Sequence, residues 1–337
     1  MGSIRVDYAS ERFMIIYEGD DSGVGANSAY ASGNEKKTNP SMLSLVIKDG
    51  ILRRQQDIDG QIVKGWAVRV FESKNPVVSV SAGNDYGKEP FESQPAYGHH
   101  LVLVASPDPS KTLDTIDSEQ WSNALVVVQD RLRWLYTQKG VAYVAVYADH
   151  VGGLRGRSKV HPHLNIVSFR MIPPTVNDEM ESYKRTQEKR GTCPTCHIIE
   201  SDDQLRRVLQ TESFVAYCPW SPTYPFEFCI APKRHAVSFA KMSQKEIEDL
   251  ALMIRATLGG LASMIKDVTF SMVFHLSAER KSSRLMHWHI EVYPVTKQWS
   301  GMERGYGIHL NDVSPEDAAK RLGASCRKEL ANMVGIG

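Results

Sequence analysis

The sequence predicts an α+β fold of two similar halves, residues 1–178 and 179–337, each with a mainly antiparallel sheet and packed helices. Two observations carry this prediction. Runs of β-branched and aromatic residues alternate with single amphipathic helices, a pattern typical of α+β halves. In addition, landmarks of the first half return in the second at a constant spacing of 126 positions. A repeat at one fixed spacing indicates an internal duplication.

The first half contains strand patterns on both sides of one helix. Its strand patterns are Ser41–Arg53, Ile62–Phe71, His100–Ala105 and Tyr143–Ala148. Asp117, with Gln120 three residues later, has the pattern of a capping box and predicts where the helix begins. The apolar face of that helix has helical spacing: Trp121, Leu125, Val128, Leu132 and Leu135.

The same order returns after about residue 180. Strand patterns at Phe226–Ala231 and Thr269–Phe274 flank a helix that begins at the capping box of Ser243 and Glu246. The apolar face of this helix is Ile247, Leu250, Ile254, Leu258, Leu261 and Ile265. Three pairs keep the 126-residue spacing, without a gap from the first strand onward: Asp117 and Ser243, His161 and His287, His163 and His289.

Composition excludes several classes of protein. The 337 residues suffice for two domains, and a net charge of +1 with 23% charged residues disfavours disordered and nucleic-acid-binding proteins. No apolar run has the length of a membrane span, and the N-terminus lacks the pattern of a signal peptide. Five cysteines, an odd number, disfavour a disulfide framework. We therefore expect a soluble cytoplasmic protein with no membrane partner.

A glycine-rich basic loop leads into His161-Pro162-His163. The loop combines glycines, cations and a hydroxyl group: Gly152, Gly153, Arg155, Gly156, Arg157, Ser158 and Lys159. Glycines let backbone N–H groups approach a ligand, and cations and hydroxyl groups bind phosphate oxygens. Alternation along a strand would place both imidazoles on one face. We expect the loop to bring a phosphate group to them.

His163 or His161 is the candidate nucleophile, because a neutral imidazole attacks phosphorus. Only the first half has a glycine-rich loop before its paired histidines; the corresponding stretch 276–286 contains no glycine. The alternative is that the histidines only form hydrogen bonds within the sheet and that the protein binds nucleotides without reacting.

Cys193 and Cys196 lie near the start of the second half and have the Cys-x-x-Cys spacing of zinc ligands. Candidate ligands further along the chain are His235 and either His287 or His289; zinc at His287 would leave His289 unbound. The first half has no cysteine, so a Cys₂His₂ site is predicted only in the second half. The alternatives are a redox pair or two buried thiols.

Several stretches together resemble one known family along nearly the full chain. They are Gly33–Glu35, Val68–Pro76, Val102–Leu113, Gly152–His163, Cys193–Cys196, Ala216–His235, His287–Pro294 and Ser314–Leu322. With these motifs the chain resembles the galactose-1-phosphate uridylyltransferase family of the histidine-triad superfamily. The second half is most similar to the two-metal bacterial and plant branch, which includes ADP-glucose phosphorylases.

The resemblance implies two histidine-triad-like halves and ping-pong nucleotidyl transfer. His163 would attack the α-phosphorus of a nucleoside diphosphate sugar, releasing sugar 1-phosphate; a sugar phosphate or inorganic phosphate would then accept the nucleotidyl group. The leading prediction is a hexose-1-phosphate (galactose-1-phosphate) uridylyltransferase of galactose metabolism, with a homodimer expected from the family. The alternatives are an NDP-sugar (ADP-glucose) or dinucleoside polyphosphate phosphorylase, and a catalytically degenerate nucleotide-binding protein.

The resemblance also assigns residues. Besides catalytic His163, we expect substrate contacts from one set of side chains and loop residues: Lys74, Arg155, Gly156, Ser158, His161 and Asn165. The zinc ligands would be Cys193, Cys196, His235 and His287.

The chain departs from the family at specific positions. Three of the four ligands of the family's first zinc are replaced by Ser28, Ala31 and Pro109, so that zinc is predicted absent. His150 replaces a phosphate-binding asparagine, and Asn165 replaces a glutamine that is one methylene longer.

Overall fold

The protein is described here by a computed structural model covering residues 2–10, 12–17, 28–81, 83, 87–152, 160–201, 204–278 and 286–335. Arg155, Gly156 and Ser158, predicted to bind substrate, lie outside these residues. The described helices are α1 Ser118–Thr137, α2 Pro174–Arg190, α3 Pro194–Ser201, α4 Gln244–Met264, α5 Gly301–Tyr306 and α6 Pro315–Met333. None of them combines the length and the apolar character that a membrane span needs.

The described strands form one large sheet and one small sheet. They are β1 Ser3–Val6, β2 Phe13–Ile16, β3 Ser41–Lys48, β4 Ile51–Gln55, β5 Trp66–Glu72, β6 Ser93–Pro95, β7 His100–Val104, β8 Tyr143–His150, β9 His163–Phe169, β10 Arg207–Gln210, β11 Phe214–Tyr217, β12 Phe228–Pro232, β13 Phe270–His275 and β14 His289–Pro294. The eleven-stranded sheet has the order β10-β11-β12-β14-β13-β8-β9-β7-β5-β3-β4, and the small sheet has the order β2-β1-β6. Every adjacent pair in the large sheet is antiparallel. The predicted α+β class is confirmed.

The large sheet is symmetric about the pairing of β8 with β13. Tyr147 pairs with Val273, which follows it by 126 positions. Tyr147 also pairs with Asn165 on β9, and Val273 pairs with Glu291 on β14, again 126 positions after Asn165. The two central hairpin-like units therefore share one register, as a duplicated unit requires.

The constant spacing does not extend to the strand before each helix. Val102 on β7 pairs with Asn165, whereas Cys229 on β12, 127 positions after Val102, pairs with Glu291. The expectation of a gapless match from the first strand is therefore wrong by one residue. The predicted division after residue 178 falls within helix α2 and stays a prediction.

Helices α1 and α4 pack against each other on one face of the large sheet, and α6 packs against α4. The predicted apolar face of α1 is fully buried, and that of α4 is buried except for the half-buried Ile265. Ser243 and Glu246 form the predicted capping box. At α1 only half of it forms: Asp117 accepts from the backbone N–H of Gln120, whose side chain instead donates to the carbonyls of Ala67 and Ala105.

The opposite face of the sheet carries the polar residues of interest. Side chains alternate along a strand, so His163 and Asn165 of β9 lie on one face, and their neighbours Tyr147 and Asp149 of β8 lie beside them. Val146 and Ala148, at the intervening positions of β8, belong to the core under the helices. One face of the sheet is thus covered by helices, and the opposite face carries the polar side chains.

We expect Trp121→Ala to lower the free energy of unfolding by about 3–5 kcal/mol, because a fully buried indole leaves a large cavity. Its Nε1–H also donates to the Leu113 carbonyl at 3.2 Å. Urea unfolding measures the change. Trp220→Ala is the control, since Trp220 is 78% exposed and its loss should cost less than about 1 kcal/mol. Equal effects of the two substitutions would contradict the buried placement of α1.

Candidate active site and metal centre

His163 is the first residue of β9, and its ring is oriented by a local hydrogen bond. Nδ1 lies 2.8 Å from the backbone carbonyl of His161. A carbonyl only accepts, so Nδ1 carries the proton and Nε2 has the lone pair. Burial lowers the pKa of His163, which keeps the ring neutral. Among the described residues no group forms a hydrogen bond with Nε2. Its lone pair is therefore available for nucleophilic attack.

His161 precedes β9 rather than lying within it, contrary to the expectation of one strand for both histidines. Its Nε2 donates to the backbone carbonyl of Ser106 at 2.7 Å, and burial lowers the pKa of its ring. Tyr30 lies edge-on to both imidazoles, with ring centroids 6.4 Å from His161 and 5.2 Å from His163. Its Nε2 carries the proton of this bond, and the lone pair is on Nδ1, which is buried, so His161 is the weaker candidate for attack.

His289, the counterpart of His163, has the same local hydrogen bond but different surroundings. Its Nδ1 lies 3.2 Å from the His287 carbonyl. Its Nε2, however, lies 3.5 Å from a Glu179 oxygen and 3.4 Å from a Glu291 oxygen. The carboxylates contact the nitrogen that has no partner in His163 among the described residues, so His289 is not a candidate for attack.

An apolar wall stands next to His163 on the same face of the sheet. Val104 pairs directly with His163 across the strands, and Phe71 pairs with Val102 on the next strand. Trp66, Phe71, Val102 and Val104 form one buried cluster with Tyr30 packed against it. Tyr30 is the partly buried residue of these five, and an aromatic ring suits the flat face of a nucleobase.

Two further polar residues, His100 and Asp149, belong to this face and were missed by sequence reasoning. The ring of His100, the first residue of β7, lies 3.1 Å from the Asn165 side-chain oxygen. Asp149 accepts a hydrogen bond from Ser271 at 2.6 Å, across the central strand pair. A polar residue in an otherwise apolar strand pattern was the signal for His100; no motif marked Asp149.

Other predicted positions lie elsewhere. His150 is buried and stacks on the Phe270 ring, with centroids 4.6 Å apart, and alternation along β8 places it on the helix-covered face. His150 therefore faces away from His163, and its alignment with the family's asparagine stays a prediction. Lys74 is exposed in the turn after β5, and its substrate contact stays a prediction.

The four predicted zinc ligands converge on one point. Ligand atoms of Cys193, Cys196, His235 and His287 all lie within 4.8 Å of one another. Cys196 Sγ lies 3.4 Å from His235 Nδ1 and 3.5 Å from His287 Nδ1, and Cys193 Sγ lies 3.9 Å from the latter. Tetrahedral zinc with ordinary bond lengths separates sulfur and nitrogen ligands by about 3.6 Å. The geometry thus fits a Cys₂His₂ zinc site.

The protonation chemistry of this cluster also fits a divalent cation. Burial and the neighbouring His235 lower the pKa of His287 to about 3, so its ring is neutral and can coordinate. Burial and the adjacent Cys193 thiol raise the pKa of Cys196 to about 12 in the protein alone. A bound cation would supply the positive charge that two neighbouring thiolates need.

A second cluster of metal-binding residue types lies beside it. Glu179, His275 and His289 also place ligand atoms within 4.8 Å of one another. His275 Nδ1 lies 2.8 Å from Glu179, and its Nε2 lies 3.1 Å from Glu291. Burial alone would lower the pKa of His275, but these two carboxylates raise it to about 10. The group therefore forms an ion-pair network around a protonated His275, which no spacing in the sequence predicted.

Comparison with known proteins agrees with this geometry. No family model matches the chain. It is 27% identical over 267 residues to an ADP-glucose phosphorylase of Arabidopsis thaliana, which covers 76% of this chain and 73% of that protein. It is also 27% identical over 244 residues to a galactose-1-phosphate uridylyltransferase of Thermotoga maritima, covering 70% and 76%. The chain resembles the galactose-1-phosphate uridylyltransferases.

Solved structures show the same fold. A uridylyltransferase structure superposes with a TM-score of 0.82 at 24% identity, covering 97% of this chain and 99% of that one. The Arabidopsis ADP-glucose phosphorylase with bound ADP-glucose superposes with a TM-score of 0.75 at 23% identity, covering 96% and 99%. The resemblance inferred from the motifs is confirmed, and these solved structures share the fold of the chain.

In the first half, the three positions Ser28, Ala31 and Pro109 offer neither a thiolate nor an imidazole. Ser28 accepts from the Tyr30 backbone N–H at 3.1 Å, and its carbonyl accepts from Ala31 at 3.2 Å. Asn34 donates to that same carbonyl at 2.9 Å. Hydrogen bonds within the turn therefore order this segment without a zinc ligand from it.

We expect the purified protein to contain about one zinc per chain and Cys196→Ser to lose it, because three ligands rarely retain a structural zinc. Inductively coupled plasma mass spectrometry measures the ratio. Cys218→Ala is the matched control, since Cys218 is a buried free thiol outside the cluster. Full zinc retention by Cys196→Ser and His235→Ala would contradict the assignment of this centre.

We expect His275→Gln to lower the free energy of unfolding by about 3 kcal/mol at pH 6, because it leaves two carboxylates without their buried cation. The folded pKa of His275 is raised above its unfolded value near 6.5. Its contribution is therefore complete below pH 6.5 and is lost as pH rises through about 10. Urea unfolding at pH 6, 8 and 10.5 measures this. A difference between the two proteins that does not change with pH would contradict the network.

Proposed function

We propose that the protein is a nucleotidyltransferase that acts on a nucleoside diphosphate sugar through a covalent nucleotidyl-His163. The observation that carries the proposal is the hydrogen bond from His163 Nδ1 to the His161 carbonyl, which leaves the lone pair on Nε2. The kinship with uridylyltransferases and an ADP-glucose phosphorylase supports the substrate class. The leading candidate is a galactose-1-phosphate uridylyltransferase of carbohydrate metabolism.

In the first step the Nε2 lone pair of His163 forms a bond to the α-phosphorus. The bond from phosphorus to the bridging oxygen breaks, and its electron pair leaves with sugar 1-phosphate. Positive charge develops on the imidazole, and the His161 carbonyl stabilises it through the Nδ1–H. In the second step a phosphate oxygen of the acceptor attacks the same phosphorus, and the neutral ring is regenerated.

The substrate would lie along the exposed face of the sheet. The nucleobase would pack on Tyr30, the partly buried ring at the edge of the apolar wall, which lies next to His163. Phosphate oxygens would accept hydrogen bonds from Asn165 and from three predicted loop residues: Arg155, Gly156 and Ser158. His161 would support the phosphate region by holding the backbone next to His163, and Lys74 would contact the substrate from the turn after β5.

The zinc of Cys193, Cys196, His235 and His287 would have a structural role. It would join the start of α3, the end of β12 and the residues just before β14. We place the protein in the cytoplasm as a homodimer. Its five cysteines are all free, which suits a reducing compartment, and the dimer follows from the family resemblance.

The second candidate is an NDP-sugar phosphorylase, with inorganic phosphate as the acceptor. The Arabidopsis relative, which matches over the longer alignment of 267 residues, is an ADP-glucose phosphorylase. Both candidates share the first step and differ in the acceptor. A nucleotide-binding protein without catalysis would bind the same nucleotide at this site but carry out neither step.

We expect incubation with UDP-glucose or ADP-glucose to add one nucleoside monophosphate to the protein, because the first step stops at the adduct when no acceptor is present. Intact-protein mass spectrometry detects the adduct and identifies the base. His163→Ala should form none, and His289→Ala, its counterpart in the second half, should retain it. Adding galactose 1-phosphate or inorganic phosphate should discharge the adduct and identify the acceptor. Binding without an adduct from either donor would contradict the enzyme and favour the nucleotide-binding protein.

A further inference from the structure

His100 lies between the backbone of a neighbouring turn and the side chain of Asn165. Its Nδ1 is 3.2 Å from the backbone nitrogen of Val77, and its Nε2 is 3.1 Å from Asn165 Oδ1. The ring is only 8% exposed. His100 forms its hydrogen bonds with Val77 and Asn165, and the proposed transfer gives it no role so far.

The direction of both hydrogen bonds follows from the backbone contact. A backbone N–H can only donate, so Nδ1 of His100 accepts and carries no proton. Burial lowers the pKa of His100, so the ring is neutral and its single proton resides on Nε2. That N–H must donate, and the atom of Asn165 facing it is therefore the oxygen.

The consequence concerns the other end of the Asn165 amide. With Oδ1 bound by His100, the NH₂ group points away from it, and within the described part of the chain Nδ2 has no acceptor. Asn165 and His163 are two residues apart on β9, so their side chains share a face at a spacing of about 6.6 Å. A single phosphoryl group can span the Nε2 of His163 and this NH₂ group.

We propose that His100 is a positioning residue that fixes the orientation of the Asn165 amide, so that its NH₂ group donates to the phosphoryl group attacked by His163. This inference rests on the proposed function. An asparagine that could rotate freely would present its oxygen to the phosphate half of the time, and that contact is repulsive. The hydrogen bond from His100 to Asn165 Oδ1 prevents the orientation in which this oxygen faces the phosphate.

The second half shows that the pairing is specific to the first. The counterpart of Asn165 is Glu291, a carboxylate that accepts from His275 at 3.1 Å and can donate nothing in that state. Hydrogen bonds from His275 and His289 hold the pKa of Glu291 well below its usual range, against the opposing effect of burial. Of these two counterparts, Asn165 is the one that offers a donor, and the histidine beside it has no partner at Nε2 among the described residues.

The test is a double-mutant cycle on single-turnover adduct formation at saturating donor. His100→Phe should slow the step by about 100-fold, comparable to the loss of one transition-state donor. In an Asn165→Ala background the same substitution should change the rate by less than about 2-fold, because its effect acts through that amide. His100→Gln should restore most of the rate, since an amide has both the acceptor for Val77 and the donor for Asn165. His99→Phe, the adjacent histidine, is the matched control.

Independent effects of His100 and Asn165 would overturn the inference while leaving the transferase intact, as would a folded His100→Gln as slow as His100→Phe. A wild-type protein that forms no adduct would instead contradict the proposed function. In that case ¹⁵N NMR still decides the inference. We expect the Nε2–H form of His100, and an Asn165 amide signal that shifts on titration with pyrophosphate in the wild type but not in His100→Phe. An Nδ1–H form, or an equal shift in both proteins, would overturn it.

Discussion

The antiparallel pairing of β8 with β13 is the constraint on which the rest of the molecule depends. It joins the two halves into one sheet of eleven strands, with Tyr147 opposite Val273 at the centre of symmetry. Helices α1 and α4 then bury the same face of that sheet in both halves. Because side chains alternate along a strand, every polar residue at the other positions is directed to the opposite face. Both clusters of histidines therefore lie on a single surface.

On this shared scaffold, equivalent positions have taken different chemistry. His163 and His289 make the same bond through Nδ1 to the carbonyl two residues before them. What differs is the group at the outer nitrogen. Glu179 and Glu291 lie against Nε2 of His289, whereas His163 has an amide neighbour, Asn165, and no bond to a carboxylate in the part of the chain that the structure describes. The imidazole that we propose as nucleophile and its counterpart thus differ in their neighbours, not in their own geometry.

The two halves also differ in the metal-binding side chains that they contain. The second half gathers two thiols and two imidazoles, with both histidines presenting Nδ1. The corresponding turn of the first half holds itself together with backbone and serine hydrogen bonds, and Tyr30 packs beside both histidines. Hydrogen bonds and ring packing thus order the first half, where the second presents a complete set of ligands for a cation.

The sequence by itself determined the fold class and the duplication, because apolar periodicity and capping residues are local patterns. Cys-x-x-Cys spacing together with the family resemblance indicated the four side chains that converge at the proposed zinc site. Only the tertiary structure decided the one-residue shift of β12, the bonds of the Gln120 side chain and the placement of His150 under the helices. It also brought His100 to Asn165 and Glu179 to His275. These residues are far apart along the chain, and strand register, which depends on packing across the whole sheet, sets which of them meet.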